Sequence, residues 1–381
     1  MSDMEAQGSI MALNAIDELE TPCIVIENGK IDANIEAMAQ AAARCGVALR
    51  PHAKTHKLPE LALRQLAAGA TGITVAKVSE AEVMAAGGMR DIFIAYSLVG
   101  AKKINRAIRL SLAGVRLIVG VDSLEGASRL SEAALAQSTV LEVRLEIDTG
   151  LHRTGVSADA AIALAKQIAA LGGIRLSGIF TYRGAMLAGA STLDLQAAGH
   201  EEGRLMSEAA RLLRDAGIAI EDVSVGSTPT AIYAAEIEGV TEIRPGTYIY
   251  QDRIQAAFGV CSLEACAATV LATVVSRPAD DLVIIDGGSK TFATDVQPGH
   301  PPLYLQGFAH VVGDPEAVLA RMNEEHGMIS VHPSSAYRVG DRLRLVPNHI
   351  CSTVNLHNAV YIVDEDGRSR SVPVAARGML E

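Results

Sequence analysis

The sequence predicts an α/β fold: a (β/α)8 barrel with a second, smaller antiparallel β-domain. Three observations predict it. From about residue 30 to residue 260, short β-branched runs alternate with alanine-rich stretches of helical spacing, the pattern of βα units around a parallel sheet. Side chains suited to chemistry collect at the ends of these runs. After residue 260 the long helical stretches give way to β-rich segments.

Eight runs carry the barrel: "GVALRPH", "GITVAK", "DIFIAYS", "VRLIVGVD", "LEVRLEID", "LSGIFTY", "EDVSVGS" and "TEIRPGTY". Between them, "PELALRQLAAGA", "SEAEVMAAGG", "AKKINRAIRLSLAG" and "AAIALAKQIAALGG" space apolar residues for a helix and place glycine near its end. Beyond them, "CAATVLATVVSRP", "DLVIIDGGSK", "YRVGDRLRLVP" and "AVYIVDEDG" read as antiparallel strands, with a helix expected over "DPEAVLARMNEEHG". The expected division is 30–258 for the barrel, with 1–29 and 259–381 forming the β-domain.

Length and composition bound the function. A chain of 381 residues, 49% hydrophobic, can bury a large core. Its formal net charge of −11 argues against nucleic acid or an anionic membrane as partner and points to a small-molecule substrate. The first twenty residues lack a basic segment followed by an apolar block, and no apolar run is long enough to span a bilayer, so a cytoplasmic location is expected. Five irregularly spaced cysteines suit reduced thiols.

In a (β/α)8 barrel, function sits at the C-terminal ends of the strands. There the sequence places Lys54 and His56, Asp148 and Arg153, Tyr182 and Arg183, "GSTPT", and Arg244 with Tyr248. Any one of these alone is more often a solvated loop residue; their convergence carries the argument. In "RPHAKTHK", Lys54 is flanked by Arg50, His52, His56 and Lys57, a positive field that disfavours its own charge and suits a Schiff-base amine. An extended segment would turn Arg50, His52 and Lys54 to one face. A basic anion-binding patch without a covalent role is the alternative. Gly226, Ser227 and Thr228, after the seventh run, offer N–H and hydroxyl groups to a phosphate, although such a loop is also common as a plain turn. A Schiff-base lysine and a phosphate cradle in one barrel together imply pyridoxal 5'-phosphate (PLP).

On these motifs, together with "AKVSEAE", "LEIDTGLHRTGV", "RPGTYIY", "LRLVPNHICSTVNLH" and "PVAARG", the chain resembles the fold-type III PLP enzymes of the alanine racemase superfamily, in the branch of D-threonine aldolase and D-serine dehydratase. The resemblance runs over nearly the whole length. It implies that Lys54 carries the cofactor, that His52, Arg153, Tyr182, Gly226, Ser227, Thr228, Arg244, Gly246 and Thr247 surround it, and that the enzyme is a homodimer. Arg244 matches the position that faces the pyridine nitrogen in alanine racemase, where the family's aldolases carry an uncharged residue. Arginine keeps its proton, leaving that nitrogen unprotonated.

His349 and Cys351 in "PNHIC" have the i, i+2 spacing that on a strand puts both side chains on one face, able to hold a divalent ion. For an isolated pair, a buried cysteine beside a hydrogen-bonded histidine is the commoner reading; within the resemblance, a metal site with zinc, manganese, cobalt or magnesium is expected. The resemblance implies that the ion meets the β-hydroxyl of a D-3-hydroxy amino acid. D-Threonine aldolase-type cleavage to glycine and an aldehyde is the first expectation, D-serine or D-3-hydroxyaspartate dehydration the second, and racemisation the third. Arg183 falls where the aldolases show histidine, so a catalytic base is expected from a metal-bound water, His56 or His326. A nonenzymatic PLP carrier of the same barrel type would lack the second domain.

Overall fold

The computed structural model describes residues 14–381, so most of the N-terminal stretch read for a targeting signal lies outside the described residues. All eight predicted runs form parallel strands: β1 (Ala48–Leu49), β2 (Ile73–Val75), β3 (Asp91–Ser97), β4 (Arg116–Val121), β5 (Leu141–Glu146), β6 (Ile174–Phe180), β7 (Asp222–Val225) and β8 (Glu242–Ile243). They pair in sequence from β2 to β8, β8 pairs with β1, and a parallel bridge between His52 and Thr74 closes the ring. Both faces of the strands are covered, which is why the runs read as nearly continuous apolar segments.

The helices bury a stripe of alanine and isoleucine. Ala101–Leu112 turns Ile104, Ala107 and Ile108 inward at helical spacing, and Ala158–Ala169 turns in Ala161, Ala165 and Ile168. In Leu195–Asp215 the closest approach falls at Gly199. A Cβ there would stand 2.6 Å from Cβ of Tyr233 and 2.8 Å from the Thr230 carbonyl, so glycine lets this helix lie against the loop that follows β7.

The barrel interior is layered by chemistry. At its N-terminal end, Arg144 reaches Glu242 and Asp222, and Arg50 donates through Nε to Glu242 (2.7 Å) and through Nη1 to Asp91 (2.5 Å). Phe93 and Phe180 meet edge to face at 5.0 Å in the next layer, with Arg144 stacked on Phe93. The expected alignment of Arg50 with His52 and Lys54 on one face is therefore corrected. The chain leaves extended geometry after His52 and forms a 3₁₀ turn over Ala53–Thr55, so Arg50 serves the barrel's base while Lys54 stays at the mouth.

The second sheet contains a closed six-stranded barrel: β9 (Ala268–Ala279), β10 (Leu282–Ile285), β11 (Ala309–Val311), β12 (Val318–Met322), β13 (Gly327–Ser330) and β14 (Arg342–Pro347). β9 pairs with β10 on one side and β14 on the other, which closes it. Cys23–Glu27 joins β9 antiparallel and Ala359–Val363 parallel, tying the N-terminal segment to this domain. The helix expected over 314–327 is not formed: Val318–Met322 is a strand that pairs antiparallel with Gly327–Ser330. No helix among the described residues is long and apolar enough to cross a membrane.

Candidate active site

One cavity with two connected lobes opens at the C-terminal ends of the barrel strands. The barrel-side lobe, about 550 Å³, is walled by residues from β2 to β6 and their loops, among them Lys77, Asp122, Glu146 and Arg153. The lobe of about 300 Å³ facing the β-domain reaches the loops after β7 and β8, with Asp295, His349 and Cys351 on its far wall. His52, Lys54, Tyr182 and Arg244 line both.

Lys54 is presented by the Ala53–Thr55 turn, whose N-cap is His52; the ring Nδ1 accepts from the Lys54 N–H at 3.3 Å. Burial, then the cations Lys54 and Arg244, holds the His52 imidazole well below its ordinary range, so it is a neutral acceptor. The Lys54 ammonium stands 5.3 Å from the centre of the Tyr182 ring, and the Arg153 guanidinium stands 5.1 Å from it. Arg244 is anchored within the barrel: Nη1 donates to Ser224 Oγ at 2.5 Å, Nη2 donates to the Thr181 carbonyl, and Phe93 and Phe180 pack against the guanidinium. Burial lowers its pKa to about 10.

The neighbours of Lys54 divide between cavity and core. Lys57 pairs with Glu80 at 3.0 Å and donates to the Ala376 carbonyl, away from the mouth. His56, expected as a candidate base, lines neither lobe. Its Nδ1 accepts from the Leu58 N–H at 3.1 Å, and burial presses its pKa down to about 4. His326, the other candidate base, is exposed in the turn between β12 and β13 and lines neither lobe. Arg183 also turns away, to the Glu201 carboxylate.

At the phosphate loop, Gly226 takes φ +94°, a left-handed turn that favours glycine. Its N–H donates at 3.1 Å to Glu202, a fully buried carboxylate that also accepts from Thr230 Oγ1 at 3.2 Å. Gly226 therefore shapes the loop from behind. Ser227, Thr228, Gly246 and Thr247 line the lobe, and Thr228 Oγ1 accepts from the Tyr248 N–H at 3.1 Å, joining the two halves of the cradle. A Cβ on Gly246 would lie 3.0 Å from Thr55 Oγ1 and 3.1 Å from the His52 carbonyl, so glycine lets the cradle close on the lysine turn. A lysine, an aromatic face and small donor residues around one cavity fit PLP.

The His349 and Cys351 pair is not on a strand. His349 is the extended N-cap of the short helix Ile350–Leu356, and Cys351 lies in its first turn, yet both line the lobe. Asp252 fixes this junction by accepting from the Ile350 N–H at 3.1 Å, across the domain boundary, and from the Gln255 N–H at 3.0 Å within its own segment. Cys351 Sγ is 3.1 Å from Thr55 Oγ1, directly beside the lysine turn. His349 Nδ1 donates to Asp295 Oδ2 at 2.6 Å, which leaves Nε2 as the nitrogen free to ligate. Burial lowers the His349 imidazole, but Cys351 and Asp295 outweigh it and hold the group well above its ordinary range; burial raises the Cys351 thiol, and His349 pulls it back below. No three histidine, cysteine, aspartate or glutamate side chains converge as a ready ligand set among the described residues. The pair, with a carboxylate behind the imidazole, fits an ion that also takes non-protein ligands.

Sequence reasoning missed Asp295, Asp252 and Glu202. Each acts through a contact distant in sequence, and none sits in a recognisable motif.

A closed parallel barrel with a lysine at its mouth, joined to a small antiparallel barrel, defines a fold-type III PLP enzyme. Residues 26–253 match the alanine racemase N-terminal domain and residues 267–363 the putative serine dehydratase domain. D-threonine aldolase of Arthrobacter sp is 37% identical over 94% of this chain and 93% of that protein. D-threo-3-hydroxyaspartate dehydratase of Delftia sp. (strain HT23) is 36% identical over 92% of this chain and 95% of that one. A solved structure of a D-threo-3-hydroxyaspartate dehydratase cysteine-to-alanine mutant, in its metal-free form, superimposes with a TM-score of 0.86 at 35% identity, covering 94% of this chain and 98% of the other. The chain belongs to the alanine racemase superfamily of PLP-dependent enzymes, in the lyase branch of D-threonine aldolase and D-threo-3-hydroxyaspartate dehydratase.

Proposed function

We propose that this enzyme is a PLP- and divalent-metal-dependent lyase acting on D-3-hydroxy amino acids, with D-threonine aldolase-type cleavage to glycine and an aldehyde as its main reaction. One observation carries the reading: Lys54 and the pair His349 and Cys351 face one lobe, linked by the contact of Thr55 with Cys351. A site holding a cofactor lysine and a metal pair at once has a use for both.

Lys54 would hold the cofactor; in cleavage the proton to be removed is that of the β-hydroxyl and the α-hydrogen stays in place, whereas dehydration would call on Lys54 as the base at the α-carbon. Bound PLP supplies an electron sink for bond cleavage at that carbon. Tyr182 and Arg153 would flank the cofactor, Ser227, Thr228, Gly246 and Thr247 would donate to its phosphate, and Arg244 would serve its ring nitrogen as a donor. Buried among aromatic rings, Arg244 keeps its charge at neutral pH and donates without giving up a proton. His349 and Cys351 would hold a zinc, manganese, cobalt or magnesium ion, which supplies Lewis acidity at the β-hydroxyl. His56 and His326 are left without a role within one chain, because neither reaches the cavity. A homodimer in the cytoplasm is the expected setting.

Dehydration to a 2-oxo acid and ammonia is the second reading, favoured by the turned-away Arg183, which leaves no histidine at that wall for an aldol base. Product analysis decides. With D-3-hydroxy amino acids and one added divalent ion, glycine with an aldehyde supports cleavage, and oxo acid with ammonia supports dehydration. Full turnover by chelator-treated protein would overturn the metal-dependent mechanism.

A further inference from the structure

A separate cavity of about 260 Å³ lies behind the phosphate loop. The helix Asn28–Cys45 contributes Asn34, Ala37 and Met38 to its wall, and the helix Ala231–Ala235 contributes Ile232 and Tyr233. Among the described residues, no lysine, arginine, histidine, aspartate or glutamate lines it. Gln251 stands in the wall and is nine-tenths buried. Its Oε1 is buried without a hydrogen-bond partner, and its side-chain amide bonds to nothing else among the described residues. The backbone holds it there at φ +53°, in the left-handed region, with the Gln251 N–H donating to the Thr247 carbonyl at 2.7 Å. A buried amide left unpaired costs free energy that a matching ligand recovers. Asn34 brings a second amide, whose Nδ2 donates to the carbonyls of Ile249 at 3.2 Å and Ala265 at 3.3 Å.

We propose that this cavity is a second ligand site, for a small uncharged molecule that carries an amide, or an equivalent donor and acceptor side by side, on an apolar body. The Gln251 amide turns about its last side-chain bond at little cost, so its oxygen and nitrogen can both be offered to such a ligand. Met38, Ile232 and the Tyr233 ring receive the apolar body, whose transfer out of water is favourable. A carboxylate or an ammonium group would lose its hydration there and find no counter-charge. The site reaches the cofactor through the loop after β7. Thr228 and Pro229 line both this cavity and the lobe facing the β-domain, and Tyr248, also in the wall, donates its N–H to Thr228 Oγ1 at 3.1 Å. A molecule seated against them restrains the loop, so PLP leaves more slowly when the cavity is filled. That coupling rests on the proposed reading of the loop as the phosphate cradle; the ligand site itself does not.

The test uses the full-length holoenzyme and three probes: nicotinamide, its charged analogue nicotinate, and toluene as a ring without an amide. Ligand-observed NMR titration should show nicotinamide binding at least about tenfold more tightly than either of the others, the scale that one unmatched group commands in a pocket. Gln251→Leu removes the amide, and Ala37→Trp fills the cavity from an exposed helix position that the fold tolerates; neither residue lines the catalytic cavity. Each variant should lose at least about tenfold in nicotinamide affinity and keep the visible cofactor band. Saturating nicotinamide should slow the loss of that band on dialysis by about fivefold in the unaltered enzyme and leave the Ala37→Trp rate unchanged. Equal binding of nicotinamide and nicotinate, or full affinity in both variants, overturns the site. No nicotinamide binding by the unaltered enzyme, with an altered oligomeric state in Ala37→Trp, overturns it too and makes the cavity a contact between copies of this chain. The expected binding order with an unchanged rate of PLP loss upholds the site and overturns its coupling to the cofactor.

Discussion

His349 donates through Nδ1 to Asp295 Oδ2 at 2.6 Å, and that bond sets which ring nitrogen faces the cavity. A carboxylate behind an imidazole fixes both its tautomer and its orientation. Asp295 also accepts from Ser352 Oγ at 2.9 Å, so the carboxylate is itself held by the helix that carries Cys351. Asp295→Ala should weaken divalent-ion affinity about 10- to 100-fold, with PLP content unchanged. Ion titration of activity, read beside the cofactor band, checks it; equal affinity would show that Asp295 does not position the ligand.

Lys54 and Lys57 lie three residues apart in one basic cluster and should fail in different ways. Lys54→Ala should lose the visible cofactor band while keeping its far-UV spectrum. Lys57→Ala should keep the band and lose stability on the order of 3 kcal/mol, because it strands the buried Glu80 carboxylate. Borohydride reduction and peptide mapping of the unaltered enzyme should place the label on Lys54. Label on Lys57 or Lys77 would overturn the assignment.

The distinction between these lysines marks where sequence reading stopped. The barrel strands were legible because each is a short β-branched run buried on both faces, a local property. The partners of Arg50 were not, since Glu242 and Asp91 lie 192 and 41 positions away and only the closed barrel brings them under it. Likewise, Asp295 is 54 positions from His349, in a stretch without motif. "VLARMNEEHG" misled in the opposite way. Alanine, leucine, methionine and glutamate favour a helix, yet hairpin pairing in the small barrel overrides the propensity, with a register shift between Leu319 and Arg321. The His349 and Cys351 pair was found for a partly wrong geometric reason: the expected strand is a helix start, and the extended N-cap still brings both groups to the lobe.

Glu202 provides a test of the phosphate loop that does not alter the loop's own sequence. Its two acceptor bonds to Gly226 and Thr230 hold the turn from behind. Glu202→Ala should raise the dissociation constant for PLP by about tenfold, the effect of losing one or two net hydrogen bonds, with secondary structure retained. Glu202→Gln can keep the bond from Thr230, but its amide must turn one oxygen toward two donors, so it should fall between the two. Gly226→Ala should weaken retention as well, through strain at φ +94° rather than through a lost phosphate contact. Unchanged PLP occupancy in all three would place the phosphate elsewhere.

Acid should loosen the barrel from its base. Burial alone would raise the Glu242 pKa, but Arg50 and Arg144 beside it pull the carboxyl down to about 2, and Ser224 Oγ donates to it at 2.5 Å. Because the folded value is depressed, the stabilisation is fully present above the unfolded value of about 4.5 and is lost as pH falls through the folded value of about 2. The shift corresponds to roughly 3 kcal/mol at neutral pH. Glu242→Gln should therefore be markedly less stable than the unaltered protein at pH 7, since two buried arginines lose their shared carboxylate, and the difference should shrink between about pH 4.5 and pH 2. Urea melts at stepped pH measure both slopes. A stability gap that stays constant down to pH 2 would show that Glu242 is not the group titrating there.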